Sequence, residues 1–534
     1  MPRSLGSVDQ PPASAHAEAP RSQGEILAAL ADPTTYGTDD PVVVCETHAS
    51  WVFLTGRRAY KVKKPVRLAF LDYSTLERRR AACEEELRVN RELAGDIYQR
   101  VLAILPAPKG IDFAPADAPG ATEYALQMRR FDERQSLAGV IAERRLTDPD
   151  LDAVAGRIAR FHAGAPVFRG GGADAVLRAW EVNLDELEQL DPRLAPTVPT
   201  RRFGEAFVRA HRRELDRRAR EGMVRDGHGD LRCEHVLLGE PVRIVDRIEF
   251  DPALRRVDVG WDLAFLLMDL ELRGQVEAAE RLLASYRSEG GDPGSDELVW
   301  FFAAYWALVR AKVAGISASQ HPAASHPADL TLVVRLLELA ERLCWRARGP
   351  QPIVVAGPPA SGKSTLAGEL SRRAGLPVVS TDVTRKLMAG LDPSERAPLC
   401  RYTPEHDTET YREVGHTAAR RLAAGTGIVI DATCATSQER TALLGALGVE
   451  PSRIVFAECR VPLACALERS AARMRDPNRV SDATPEVVTR LFASYEPPHE
   501  LAGAAVIEID GRSAPDEQVE RLAAAADSLL ASTP

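Results

Sequence analysis

The sequence predicts two domains, the C-terminal one an α/β domain with a parallel sheet, and three observations point there. Residues 357–364 read Gly-Pro-Pro-Ala-Ser-Gly-Lys-Ser, a G-x-x-x-x-G-K-[ST] match entered from the apolar run Pro352-Ile-Val-Val-Ala356 and followed by the helix-forming Thr365-Leu-Ala-Gly-Glu-Leu370. Two further apolar runs, Leu376-Pro-Val-Val-Ser-Thr-Asp382 and Gly427-Ile-Val-Ile-Asp431, end in carboxylates, and in open α/β sheets ligands bind at the carboxyl ends of strands. All six tryptophans lie before residue 346, a composition shift that places a boundary in Arg346-Ala-Arg-Gly-Pro-Gln-Pro352.

A chain of 534 residues is too long for a single core. We expect a tail over 1–24, an N-terminal domain over 25–345, a linker over 346–352 and the α/β domain over 353–534. The first two dozen residues, rich in Ala, Pro, Ser and Gln, read as a disordered tail without the apolar segment of a signal peptide. A net charge of −9 argues against a nucleic-acid coat or a membrane-surface protein. Eight cysteines without a C-x-x-C pair indicate neither a zinc knuckle nor a disulfide framework, so reduced thiols in a cytoplasmic protein are expected. The longest apolar stretch, 299–309, has about half the length a bilayer requires and reads as a buried helix.

In the C-terminal domain, Gly357, Pro358, Pro359, Ala360, Ser361, Gly362, Lys363, Ser364 and Thr365 form the expected ATP cradle. Glycines let backbone N–H groups converge on the phosphates at the positive end of the following helix. Lys363 would reach the β/γ oxygens and Ser364 would hold Mg²⁺. Asp382 suits the base that accepts the proton of an attacking hydroxyl, unless it only caps a helix, and Arg385 could fix an anionic acceptor. Asp431 ends its strand in the manner of a Walker B aspartate, near Mg²⁺. Arg469 and Arg473, at i and i+4 on one helix face, precede a polar loop over 475–482 and suit a lid that neutralises transition-state charge, or else are surface decoration. This order of motifs resembles small kinases of the polynucleotide kinase and adenylate kinase type over residues 351–534.

In the N-terminal part, His228-Gly-Asp-Leu-Arg-Cys-Glu-His235 is followed by Ile244-Val-Asp246. These residues resemble the catalytic loop and metal-binding aspartate of aminoglycoside phosphotransferase-like and choline kinase-like enzymes, over residues 24–345. The resemblance implies a bilobal α+β protein-kinase-like fold, Asp230 as catalytic base and Asp246 as Mg²⁺ ligand. His235 stands where the family carries a metal-ligating Asn, and Glu249 lies one residue beyond the usual D-x-E spacing and competes for the metal role. Lys61, in Ala59-Tyr-Lys-Val-Lys63, is assigned as the ATP lysine; Lys63 shares its strand face. Glu86 would orient that lysine, the alternative being a solvated acidic helix face. His162, Asp258 and Asp262 are expected to be structural, and at most one of Arg310 and Lys312 faces a site.

The whole resembles bacterial fusions of an aminoglycoside phosphotransferase-like domain with a P-loop kinase. What it implies is an ATP- and Mg²⁺-dependent kinase with two nucleotide sites, acting on hydroxyl-bearing small molecules. Two alternatives stay open: a non-catalytic N-terminal sensor that gates the P-loop kinase, and a polynucleotide 5′-hydroxyl kinase. Nucleic acid is the less favoured acceptor, for want of a basic balance or interleaved aromatics in the C-terminal half.

Overall fold

The computed structural model describes residues 22–68, 71–108, 110–190, 198–320, 327–396, 398, 400, 402–474, 483–499, 501 and 503–532. They form two compact units, one of residues up to Val154 together with His228–Arg255, the other of Ala155–Gly227 together with residues from Arg256 onward.

The first unit is built on a six-stranded antiparallel sheet of β1 (Val43–Glu46), β2 (Ser50–Thr55), β3 (Arg58–Lys63), β4 (Tyr98–Pro106), β5 (Ile111–Pro115) and β6 (Glu123–Arg129), in the order β1-β2-β3-β6-β4-β5. Strand alternation sends Tyr60 and Val62 of β3 into an apolar cluster with Phe53, Ile104 and Leu30. Lys61 and Lys63 therefore project from the opposite face. That face is covered by α1 (Leu76–Ala94), whose Cys83 packs with Ala59 and Met128. The predicted tail boundary shifts slightly, because a helix already starts at Gln23. Ser22 and Glu25 close a capping box there, and Ile26 and Leu30 are buried; residues 1–21 lie outside the described residues.

The second unit contains a helical part and a parallel sheet. In the helical part, α2 (Ala173–Leu190), α3 (Val198–Ala210), α4 (Val259–Leu272), α5 (Asp296–Gln320) and α6 (Pro327–Ala347) share an aromatic core, with Trp180 stacked on Phe301 at 4.8 Å and Phe207 on Phe301 at 4.2 Å. The apolar stretch read from the sequence lies within the 25-residue α5. Residues Asp296–Ala318 are long and apolar enough to cross a membrane, but most of that segment is buried within the protein, as a core helix is. Histidine and aspartates brace these helices: His162 lies between Tyr286 Oη at 2.9 Å and Asp262 Oδ2 at 3.0 Å, while Asp258 caps α4 and accepts from Arg218. Lys312 is paired with Glu186 at 2.5 Å.

The parallel sheet has five strands, β7 (Pro352–Ala356), β8 (Val378–Ser380), β9 (Ile428–Asp431), β10 (Val455–Arg460) and β11 (Ala505–Asp510), in the order β8-β9-β7-β10-β11. From β7 the chain runs to the edge strand β8, returns through β9 beside β7 and then crosses to β10 and β11 on the other side, so β7 ends at the topological switch point where open sheets place ligands. Helices α7 (Lys363–Ala374) and α12 (Pro515–Ser532) cover one face, against Ile353, Val355 and Val429. Helices α9 (Pro404–Ala423) and α10 (Ser437–Leu447) cover the other, against Val354, Ile430 and Phe456.

Residues 346–352, expected as a linker, begin as a packed junction. Ala347 and Arg348 are buried, with Arg348 Nη2 2.6 Å from Asp527 Oδ1 on α12 and its guanidinium 4.3 Å over the Phe203 ring of α3. A buried arginine that satisfies a buried aspartate holds both helices, and removing one partner strands the other charge. Arg348→Ala should therefore cost about 3–5 kcal/mol, read as a lowered urea midpoint.

Candidate active sites

The first site grows from β3 and the face of α1. Lys61 Nζ lies 2.7 Å from Glu86 Oε1 and 2.9 Å from Asp246 Oδ1. Lys63 is more deeply buried and is bound to Glu86 Oε2 at 2.6 Å and to Glu249, which also accepts from Tyr73 Oη at 2.9 Å. Of the two lysines sharing the strand face, Lys61 is the one that reaches Asp246. Glu86 is fully buried and bound to both lysines, so it is not part of a solvated face. Asn90 ties α1 to the Asp246 loop, accepting from the Arg247 N–H at 2.9 Å and donating to the Glu86 carbonyl at 3.0 Å.

Asp246 itself has φ = +62°, a left-handed conformation costly for a non-glycine residue and a form of strain that collects at functional sites. Its N–H donates to Tyr98 Oη at 3.0 Å. The 228–235 loop is oriented by His228, whose Nε2 contacts the Val245 carbonyl at 3.0 Å and whose Nδ1 accepts from the Asp230 N–H at 3.2 Å. His235 Nδ1 donates to the Asp230 carbonyl at 2.8 Å, which turns Nε2 toward Arg232 at 3.2 Å and Asp246 Oδ2 at 3.7 Å. Arg232, which no sequence motif singles out, clasps both Asp230 oxygens at 2.7 and 3.0 Å and reaches Glu234 at 2.7 Å. Its signal was its place two residues past a proposed base, where a guanidinium lies within reach of the carboxylate.

Electrostatics follow from this crowding. Burial disfavours the Lys61 ammonium, yet Asp246, Glu86 and Glu249 outweigh it and hold the group well above its ordinary value. Lys61 pulls Asp246 far below the usual carboxylate range against the opposing effect of burial, with His235 adding to it. Burial opposes ionisation of Asp230, but His235 and Arg232 win and lower it. Both folded values thus lie below the unfolded value of about 3.9. Their stabilising contribution is present above that pH and is lost as pH falls through the folded values. Asp246→Asn should accordingly show a shallower loss of stability below about pH 4, measured by urea unfolding across an acid series.

The second site sits at the end of β7. Gly357 has φ = +141°, and a Cβ there would come within 2.4 Å of the Cys459 carbonyl, so only glycine lets the loop leave β7 here. Ala360 at +62° and Gly362 at +105° are also left-handed, and α7 starts at Lys363 with its N-terminus at the loop. Asp431 pairs in register with Val355, and alternation along β9 places it on the face with Val429, the face covered by α7, whose first turn carries Ser364. Lys363 and Asp431 are both close enough to act on the Cys434 thiol, which burial pushes up.

Helix α8 (Thr381–Met388) begins one residue past β8, with Ser380 as its N-cap, so Asp382 stands in the first turn rather than at the cap. Ser380 pairs with Asp431, which places Asp382 at the carboxyl edge of the sheet beside that residue. Arg385 Nη1 lies 3.4 Å from Asp382 Oδ1, and its Nη2 lies 2.7 Å from Asp407 Oδ1 on α9. Arg469, on α11 (Leu463–Arg473), donates to the Gly511 carbonyl at 2.9 Å and approaches the Ser361 carbonyl at 3.5 Å, so it lies against the phosphate loop. The Arg473 side chain and the 475–482 loop lie outside the described residues.

Among the described residues, no group of three or more His, Cys, Asp or Glu side chains could by itself hold a metal ion. Mg²⁺ usually takes one or two carboxylates and fills its shell with phosphate oxygens and water. Asp431 with Ser364 is a donor set of that kind, and Asp246 offers one such carboxylate, with the His235 ring nitrogen 3.7 Å from its Oδ2.

A family model described as an AAA domain matches residues 353–498. Over 471 residues the chain is 33% identical to the uncharacterized protein Rv2004c of Mycobacterium tuberculosis (strain ATCC 25618 / H37Rv), covering 85% of this chain and 91% of that protein. Similar solved structures include a choline/ethanolamine kinase family protein from Mesorhizobium loti, 16% identical, covering 59% of this chain and 98% of that one at a TM-score of 0.32. Another is a gluconokinase from Sinorhizobium meliloti 1021, 21% identical, covering 34% of this chain and 94% of that one at a TM-score of 0.26.

Proposed function

This chain belongs to the family of the Mycobacterium tuberculosis protein Rv2004c, and we propose that it is an ATP-dependent kinase with two nucleotide sites, each transferring the γ-phosphate to a hydroxyl of a small molecule. The observation that carries the reading is the pair of phosphate-handling constellations in one chain. Lys61, Glu86, Asp246 and Asp230 converge in the first unit, and the loop over 357–364 with Asp431 and Asp382 converges in the second. Such reactions need positioning and charge neutralisation more than covalent help.

In the first centre, Glu86 holds Lys61 toward the α/β-phosphates, Asp246 and His235 hold Mg²⁺, and Asp230 orients the acceptor hydroxyl and takes its proton. In the second, the loop and Lys363 hold the triphosphate, Ser364 and Asp431 hold Mg²⁺, Asp382 serves as base, and Arg469 neutralises charge from beside the loop. When bound, Mg²⁺ shields the phosphate oxygens and steadies their geometry. A non-catalytic N-terminal half is the second reading, favoured by the clasp of Arg232 on both Asp230 oxygens.

Calorimetric titration of Mg²⁺ with a non-hydrolysable ATP analogue tests the two-site reading. Two binding events are expected in the unaltered chain; a single event abolished by Lys363→Ala would move the reading to a P-loop kinase whose N-terminal half does not bind nucleotide.

A further inference from the structure

We propose that the acceptor at the P-loop centre is a neutral polyhydroxyl compound, recognised by the cluster of Asp382, Arg385 and Asp407, and not a sugar acid or a nucleic-acid end. The proposal rests on the phosphotransferase reading and names the substrate class of its C-terminal site.

Arg385 is the one strong cation in this cluster, and its geometry shows how much of its binding capacity is already used. Its side chain is one-tenth exposed. Nη2 is held by Asp407 Oδ1 at 2.7 Å, Nη1 faces Asp382 Oδ1 at 3.4 Å, and the guanidinium lies 4.6 Å over the Tyr402 ring. Nε is buried without a hydrogen-bond partner. Bidentate capture of a carboxylate or phosphate uses two parallel N–H groups along one edge of the guanidinium. Both edges of Arg385 already have a nitrogen directed at a carboxylate of the protein. An arriving anion would have to displace a buried ion pair and then stand beside two like charges, which opposes its ionised form.

Among the described residues, the surroundings add a further carboxylate. Glu439, on α10, accepts from the backbone N–H groups of Ala435 at 2.6 Å and Thr436 at 3.3 Å. Burial pushes its carboxyl above the ordinary value, and Asp407 pushes the same way. Asp407 is likewise raised by burial, although Arg385 and, less strongly, His406 oppose the shift. The neighbouring cation, Lys386, is turned to the Pro393 carbonyl at 3.0 Å.

A hydroxyl meets none of these obstacles, because it both donates and accepts. It can donate to the remaining lone pairs of Asp382 and Asp407 and accept from an N–H of Arg385 without adding charge. A compound with adjacent hydroxyls could present one to the asparate pair while the next stands at Asp382 as the attacking group. Transfer then balances simply: the hydroxyl oxygen bonds to the γ-phosphorus, the bond from that phosphorus to the β–γ bridging oxygen breaks, ADP leaves, and the hydroxyl proton passes to Asp382.

The test uses the full chain carrying Asp230→Asn, so that only the C-terminal centre turns over, with ATP, Mg²⁺ and three acceptors: neutral hexoses, the matching hexonic acids, and an oligonucleotide with a 5′-hydroxyl. The neutral members should be phosphorylated with kcat/KM at least about tenfold above the acids, and the oligonucleotide should remain unlabelled. Adding Asp407→Asn removes the carboxylate charge, leaves only an amide oxygen to accept from Nη2 and so lets an anion compete for it; it should raise the acid-to-neutral ratio about tenfold, while Asp407→Glu should leave it within about twofold.

Preference for the acids or the oligonucleotide overturns the proposal, as does an unchanged ratio in an Asp407→Asn chain of unaltered thermal midpoint. The preference of the Asp230→Asn chain alone decides the matter should Asp407→Asn fail to fold. No turnover of any acceptor, by a chain that still binds nucleotide through Lys363, removes the phosphotransferase reading itself and the acceptor class with it.

Discussion

Asp230→Asn should lower turnover at the N-terminal centre by about 10²–10⁴-fold while leaving nucleotide affinity nearly unchanged, because a positioned base acts on the proton in flight and not on the bound triphosphate. The local structure favours a clean result. His235 is anchored to the Asp230 carbonyl, which the substitution retains, and Arg232 keeps its second partner, Glu234. Lys61 and Asp246 remain paired at 2.9 Å. The measurement is ATP turnover in a Lys363→Ala background, with water as the fallback acceptor, alongside calorimetric binding. Unchanged turnover would show that Asp230 is not the base and would favour the sensor reading, in which Arg232 and Asp230 form a permanent pair.

Lys363→Ala should weaken nucleotide binding at the P-loop by about 10- to 10²-fold, the scale of losing a charge-assisted contact of about 1.5–3 kcal/mol. Lys363 opens α7 and is the residue that follows the left-handed Gly362, so its removal leaves the loop backbone and the helix N-terminus in place. Unlike Arg348, it makes no ion pair among the described residues whose loss would unfold the domain. Binding should therefore fall without a change in thermal midpoint of the nucleotide-free chain. A weakened midpoint would mean a structural role, and unaltered affinity would show that the phosphates are held by backbone N–H groups alone.

The acidic behaviour of the first centre and the strength of the Arg348–Asp527 pair have different origins, and the sequence reveals them unequally. Asp246 and Lys61 were legible because each occupies a position with a chemical reason, a strand-end carboxylate and a lysine in a chain that otherwise uses arginine. The clasp of Arg232 on Asp230 was not, because two residues of spacing do not say which way a long side chain folds. Arg385 was legible as a cation near the phosphates, but its capture by Asp407 was hidden: Asp407 comes from another helix, twenty-two positions later. The junction at 346–352 misled for a related reason. Proline and glycine mark a boundary between elements, whereas Arg348 is buried by a partner far along the chain.

The sequence by itself determined the local chemistry: a phosphate loop between strand and helix, carboxylates at strand ends, lysines alternating on one face of a strand, and helices where apolar residues recur. These depend on backbone preference and periodicity within a few residues, which is information a linear string carries. The tertiary structure alone decided which cation meets which carboxylate. It put Lys61 rather than Lys63 on Asp246, placed Arg469 against the Ser361 carbonyl, gave Arg385 to Asp407, and joined Arg348 to Asp527. Pairings between distant residues depend on how whole elements pack, and burial then makes each such pairing matter, because a charge removed from water must be satisfied where the fold leaves it.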